Sequence, residues 1–435
     1  MSVSRETLAS LSYKLGTIGC TFFSVALLVH HMGPTSYGAW ATLVSALVWI
    51  QLSDLGIGIV VRNRVAADRS DPALAQIVAT AITLTGVIAL VFIVAYAVAW
   101  RHVSVARDYP LESALLYVSA FLMLPTGVGT NILQGLGMTR VTFKAAFLQT
   151  VLWVAFVACL GQRPAMLPLA VGFSTLWAGV CLFQMRLALR ETGLANAVFL
   201  ARLVNVRPSR DVMTMMRIGA AFFILQMTSL VLFNLGTYLS YDYFSPAAAA
   251  RYDILNKVYQ IPLTLFNVVI VVAWSRITRD AQARDAHGLH RIQVGLLAVA
   301  VAGAAALFLV SGFVVRPFVS VYSHGQIEVS GKDVMAFSIL VAIQLVAYVG
   351  AVFMNATERL RIQLLFALAS AAAFVPVFLA LRSAGFDVAS VPLATGLVML
   401  PGGLWFNVHV RRHIIRPLRS PAGPVDAPPA AALHS

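Results

Sequence analysis

Charge is scarce in this 435-residue chain: Asp, Glu, Lys and Arg together make up 11% of it, and only 17 residues are acidic. A soluble domain carries roughly a quarter of its residues as charges, so a soluble enzyme of this size is excluded. Cysteine is scarcer still. Cys20, Cys159 and Cys181 sit singly in apolar stretches, which excludes a disulfide scaffold and marks them as small buried hydrophobes. The longest connection, 188–216, lacks paired carboxylates, an Asp-X-Asp pattern and a Gly-rich phosphate cradle. What is abundant is hydrocarbon, at 60% of residues, and that is the composition of a membrane protein.

A hydrocarbon core about 30 Å thick takes about 20 apolar residues per helix. Twelve stretches meet that length, near 11–32, 37–60, 75–100, 113–134, 142–162, 166–187, 217–240, 247–273, 293–315, 334–355, 362–381 and 389–409. Runs such as 82–100 and 296–315 are apolar on every face, whereas a membrane β-strand alternates over about ten residues, so the spanning element is the α-helix. With the N-terminus inside, 22 of the 31 basic residues fall in inner segments and 6 in outer loops. That asymmetry predicts both termini in the cytoplasm. It also accounts for the net charge of +14 through topology and anionic lipid, with no nucleic-acid partner. The first span contains Lys14 and lacks a small-residue cleavage site, so it is expected to be retained. The Pro- and Ala-rich end, 417–435, is expected to be a disordered cytoplasmic tail.

Sliding the chain against itself by 212 residues pairs Arg5 with Arg217, Pro34 with Pro246, Leu43 with Leu255, Arg64 with Arg276 and Asp68 with Asp280. Each half opens with an apolar helix, a Pro turn, a second helix and an arginine loop. The expected architecture is an all-α membrane protein of 12 transmembrane helices in two six-helix lobes, 1–210 and 211–416. Because each lobe crosses an even number of times, both have the same orientation and the pseudo-twofold runs along the membrane normal, a parallel-repeat plan used by secondary transporters.

The run Gly33-Pro34-Thr35-Ser36-Tyr37-Gly38-Ala39-Trp40, followed by Asp54-Leu55-Gly56-Ile57-Gly58 and Arg62-Asn63-Arg64, resembles the start of bacterial polysaccharide flippases of the Wzx type. These belong to the multidrug/oligosaccharidyl-lipid/polysaccharide (MOP) exporter superfamily, whose transporters include the MATE-like folds. Weaker similarity continues through 249–257 and 355–361. The resemblance implies a flippase of the bacterial inner membrane. It would carry an undecaprenyl-diphosphate-linked oligosaccharide, the repeat unit of an O-antigen, capsule or exopolysaccharide, by alternating access. Membrane lipids, a polysaccharide polymerase and a chain-length regulator are the partners it implies.

Flipping breaks no covalent bond; the barrier is dragging a diphosphate and hydroxylated rings through hydrocarbon, so the protein must supply a wet, partly cationic cavity. Ionisable residues at membrane depth are the natural candidates. Helix eight carries Asp253, Asn256, Lys257 and Gln260 within about 100° of one another. This face reads as a cavity wall on which Lys257 meets phosphate or sugar; it also suits a structural ion pair, since Asp253 and Lys257 are four residues apart. Arg251, roughly opposite, and Lys14 on helix one are further candidates for substrate binding. Pro262 in helix eight, with Gly56 and Gly58 in helix two, predicts matching interruptions that serve as hinges or only as packing devices. At the cytoplasmic mouth, Asp54, Arg62, Asn63 and Arg64 form a candidate gate, in which the arginines attract diphosphate, close against Asp54 or simply anchor the topology.

The expected outer loops, 101–112 and 316–333, are too short to house the catalytic domain of a glycan polymerase or ligase, so no enzyme activity is expected. His287 and His290 have no evident third ligand, and no metal is expected. No nucleotide motif and no cofactor is expected either. Energy would come from a Na⁺ or H⁺ gradient or from the membrane potential, worth about 2.3 kcal/mol per charge per 100 mV. Two alternatives compete: a cation-coupled multidrug exporter of the same superfamily, which would favour an apolar or acidic cavity, and a non-transporting scaffold, which needs no intramembrane charge.

Overall fold

The first helix, α1 (Val3–Gln51), joins the first two expected spans into one element that bends where Gly33 takes φ 76° and ψ 167°. Only glycine holds that backbone without strain, and Pro34 follows it without an N–H to donate. The structure, a computed structural model, describes residues 3–51, 54, 56–67, 74–161, 164–194, 210–357 and 360–419. The first lobe continues with α2 (Ile57–Ala67), α3 (Leu74–Ala99), a short α4 (Ser104–Asp108), α5 (Pro110–Gly135), α6 (Thr139–Cys159) and α7 (Met166–Glu191). The second consists of α8 (Arg210–Tyr243), α9 (Pro246–Gln282), α10 (Ala286–Tyr322), α11 (Gly331–Ala356), α12 (Leu360–Ser383) and α13 (Ser390–His409). No strand occurs among the described residues, as expected where hydrocarbon leaves backbone groups only their own helix for partners.

Nine helical stretches among the described residues are long and apolar enough to cross a membrane. The first of them, Ser12–Ile50, supplies two passes through its bend, and α8 and α9 stand at the seventh and eighth expected positions. Twelve crossings result, six to each lobe. Large apolar side chains such as Val98, Phe313 and Val321 remain exposed on the helix surfaces, which is where acyl chains replace water. Buried side chains of both halves form one continuous core, which includes Leu43 and Leu47 from the first and Tyr259, Phe337, Phe353 and Phe374 from the second.

The internal repeat appears at the turn between the first two crossings of each lobe. Where α1 bends at Gly33-Pro34, the second lobe breaks outright: Ser245 is extended, its hydroxyl accepts the Ala248 N–H at 3.0 Å, and Pro246 opens α9. Serine at the cap and proline at the first helical position make a strong helix start.

Three expectations are corrected. The second span does not run to 60: α1 ends at Gln51, and Asp54 and Gly56 form a turn before the separate α2. Gly56 takes φ 72°, so the interruption there is a change of backbone direction. Pro262, by contrast, does not break α9, which stays helical through it to Gln282; only the Val258 carbonyl loses its helix partner. The C-terminal tail begins later than Pro417, because α13 continues through a π-helical turn, Val410–Ile415, and a 3₁₀ turn, Arg416–Arg419. Residues 420–435, and Glu358 and Arg359 of the 355–361 stretch, lie outside the described residues.

With an even number of long helical segments, the first and last of them begin and finish at the same end of the bundle, here called proximal. The turns at Gly33 and Ser245 lie at the distal end. There the lobes are drawn together: the Tyr241 hydroxyl donates to Asp108 at 2.8 Å, the Tyr322 hydroxyl to the Phe22 carbonyl at 2.5 Å, and the rings of His30 and His324 meet at 4.6 Å. α2 of the first lobe also packs on α8 of the second.

Candidate functional site: the cavity between the lobes

Between the lobes, α1, α6 and α7 on one side and α8 and α9 on the other enclose a cavity of about 420 Å³. Its second-lobe wall carries Asp253, Asn256 and Lys257, with Asn234 and Thr237 from α8. Its first-lobe wall is aromatic: Trp40 stacks on Trp153 with centroids 5.6 Å apart, and Phe173 meets both edge-on. Gln149, Thr150 and Ser45 add polar groups on that side. The 212-residue register sets Asp253, Asn256 and Lys257 against Ala41, Val44 and Ser45, which line the same cavity. Equivalent positions of the two repeats therefore face one space with unlike chemistry: one repeat supplies the charge and the other an apolar wall.

Lys257 and Asp253 form an ion pair one turn apart along α9. The same Asp253 oxygen, Oδ2, also accepts the hydroxyl of Tyr37 from the first lobe. Both side chains line the cavity, and that of Lys257 is the more exposed, at 29% against 11% for Asp253. Tyr37 was not singled out by charge reasoning because its role depends on a partner 216 residues away.

Gln260 lies just outside this cavity. It lines a second, mostly apolar crevice of about 260 Å³ between α1 and α9, with Leu15, Ile18, Phe22, Ile261 and Leu265. Thr21 and Lys257 belong to both spaces and so connect them. Leu15, Ile261 and Leu265 are exposed, which opens the crevice sideways toward lipid. Lys14 is also exposed, on α1 near this crevice, and lines neither space.

The structure places Arg251 elsewhere. It stands at the distal mouth, 2.5 Å from Asp387 and 3.6 Å from Asp333, and lines an outer recess in place of the central cavity. A helix position opposite Lys257 points away from what Lys257 faces, and two carboxylates hold it there.

The proximal cluster is built differently from a salt-bridge gate. Asp54 accepts the backbone N–H groups of Gly56 at 3.0 Å and Gly58 at 3.1 Å, and so caps α2. Burial pushes its carboxyl above the usual range against the lowering effect of those two bonds. No ion pair joins it to Arg62 or Arg64 among the described residues: Arg62 reaches Gln134 at 3.4 Å and Arg64 is exposed. A Cβ at Gly58 would stand 2.2 Å from the Asn131 amide nitrogen, so glycine there serves close packing. The Asn63 side chain lies outside the described residues.

No family model matches the chain, and no curated protein does. Solved structures do. An inward-facing multidrug resistance MATE family transporter of the MOP superfamily superposes with a TM-score of 0.74 at 12% identity, covering 93% of this chain and 98% of that one. The chain has a MOP transporter fold. The lipid II flippase MurJ in an inward closed conformation gives a TM-score of 0.66 at 13% identity, covering 93% and 87%. An outward-facing MATE family transporter gives 0.61 at 12% identity, covering 94% and 95%. At these identities the likeness speaks for the fold alone. On that fold the chain is a multi-pass membrane protein, and its neighbours are transporters and flippases, with no enzyme among those compared.

Proposed function

We propose that the chain is a flippase for a diphosphate-linked glycan, of the Wzx type, in the bacterial inner membrane with both termini cytoplasmic. One observation carries this reading: Lys257 places a cation on the wall of the interlobe cavity, while the acid beside it, Asp253, already accepts two donors. An anion gains a charge-assisted contact there. A cationic drug would find the carboxylate already engaged and an ammonium in its path, which disfavours the multidrug-exporter alternative.

Three regions then match the three parts of such a cargo. The diphosphate sits at Lys257 with Asn256, the sugar rings lie along the Trp40, Trp153 and Phe173 wall, and the prenyl tail leaves through the α1–α9 crevice into lipid. With the distal seam facing outside, the lobes stand in a loading state, in keeping with the better superposition on inward-facing relatives. Coupling to Na⁺, H⁺ or membrane potential, and the polymerase and chain-length regulator as partners, belong to the same proposal.

The test is restoration of surface polysaccharide in cells lacking the protein. Wild type restores it, Lys257→Ala does not, and Lys257→Arg restores part, since guanidinium keeps the charge. Undiminished export by Lys257→Ala would favour the scaffold. Unchanged surface glycan with new sensitivity to cationic dyes would favour the drug exporter.

A further inference from the structure

Two donors from opposite lobes converge on one atom. The Tyr37 hydroxyl of α1 and the Lys257 ammonium of α9 both bond Asp253 Oδ2. Tyr37 is fully buried, and side-chain exposure rises from 11% at Asp253 to 29% at Lys257. One carboxylate oxygen thus ties the cavity's accessible cation to a bond across the lobe seam.

A ligand diphosphate and Asp253 want the same partner. Asp253 is always present, one helical turn from Lys257. A diphosphate brings more charge and more acceptor oxygens, and Lys257 is the most exposed member of the triad. When Lys257 turns to the ligand, Asp253 is left buried with the Tyr37 hydroxyl as its remaining hydrogen-bond donor among the described residues. A buried carboxylate without its counter-charge is costly, and the cost is relieved when the lobes part and water enters. The remaining ties across the seam, Tyr322 to the Phe22 carbonyl and Tyr241 to Asp108, do not involve Lys257.

Resting on the reading of Lys257 as the diphosphate-binding cation, we propose that Asp253 is a resident competitor for that cation and that its displacement by cargo loosens the distal seam. The triad is a latch. In the empty protein Asp253 keeps Lys257 occupied and holds Tyr37, so the lobes stay sealed. Cargo that captures Lys257 breaks the first bond and leaves Asp253 buried without its counter-charge, a cost that parting of the lobes relieves, which couples loading to outward opening and discourages an empty turnover.

The experiment uses the full chain in lipid nanodiscs, with farnesyl diphosphate as the probe and Cys20, Cys159 and Cys181 replaced by Ser. The pair His30→Cys and His324→Cys reports seam closure through its cross-linking rate, since those rings touch across the lobes. Quenching of Trp40 and Trp153 fluorescence reports binding, since both line the cavity. In the otherwise wild-type protein, saturating probe is expected to slow cross-linking several-fold. Asp253→Asn should bind the probe about tenfold more tightly, as removal of an internal competitor requires, and should cross-link slowly without it. Tyr37→Phe, which keeps the ion pair, should also cross-link slowly without probe. The latch is overturned if probe leaves wild-type cross-linking unchanged, an arm that needs no substitution in the triad. It is equally overturned if Asp253→Asn, recovered monodisperse, binds no better than wild type. Wild-type affinity in Lys257→Ala is a different failure, that of the cavity reading itself.

Discussion

Gly38 packs directly against Pro246 across the lobe boundary: a Cβ on Gly38 would stand 1.7 Å from the Pro246 carbonyl oxygen and 3.1 Å from the Ala250 nitrogen. Both obstacles are backbone at the start of α9, which cannot swing aside as a flexible side chain does. Gly38→Ala is therefore expected to wedge the seam. Overpacking costs about 1–3 kcal/mol, enough to move a two-state equilibrium by about tenfold or more. Spin labels at positions 30 and 324 should show a longer distance distribution than in the parent, and surface glycan should fall.

Removing Arg251 leaves Asp333 buried without its cation, although the carboxylate still caps α11 by accepting the Ser330 N–H at 3.0 Å. Arg251→Ala should lower stability by about 1–3 kcal/mol, read as an earlier thermal unfolding transition. Farnesyl diphosphate affinity should be unchanged, because Arg251 lines the outer recess and Lys257 the central cavity.

Under the proposed reading, the stacked pair Trp40 and Trp153 bears on the sugar and Lys257 on the phosphate. Aromatic contacts of this kind are worth about 0.5–1.5 kcal/mol beyond their area. Trp153→Leu is expected to weaken binding of a lipid-linked saccharide by about threefold to tenfold while farnesyl diphosphate binds as before. Equal losses for both would place the phosphate, not the sugar, against this wall.

Asp54 carries a pH dependence whose sign follows from its burial. Its carboxyl is raised in the folded protein, so the fold is favoured when that group is protonated in both states. The advantage is lost as pH rises from the usual aspartate range through the raised folded value. Thermal stability should decline across that window and level off above it. Asp54→Asn should flatten the decline, at the expense of about 1 kcal/mol for the weakened cap on α2.

How far each of these features was visible beforehand depended on distance along the chain. The Asp253–Lys257 pair and its polar neighbours lie within two turns of one helix, where a 3.6-residue period places them without further knowledge. The lobe break at Ser245-Pro246 was visible because the 212-residue register maps it on Gly33-Pro34. Arg251 was assigned to the cavity because its acidic partner Asp387 is 136 residues away, and nothing local signals it. Tyr37 was hidden in the same way. The Asp54 cluster misled for the opposite reason: nearby arginines suggest a salt bridge, but the N–H groups of Gly56 and Gly58 are nearer and fit the carboxylate better. Pro262 was expected to interrupt α9, yet the lost hydrogen bond alone does not bend a long helix packed against α1, α8, α10 and α11.

Thr21 and Lys257 stand on the boundary between the wet cavity and the oily crevice. Under the proposed reading, a passenger straddling that border keeps its hydrocarbon in hydrocarbon throughout the journey and exchanges surroundings only at its head. The work of carriage then scales with the polar group and hardly at all with the length of the isoprenoid, so shortened synthetic carriers with the same headgroup should travel about as readily as long ones.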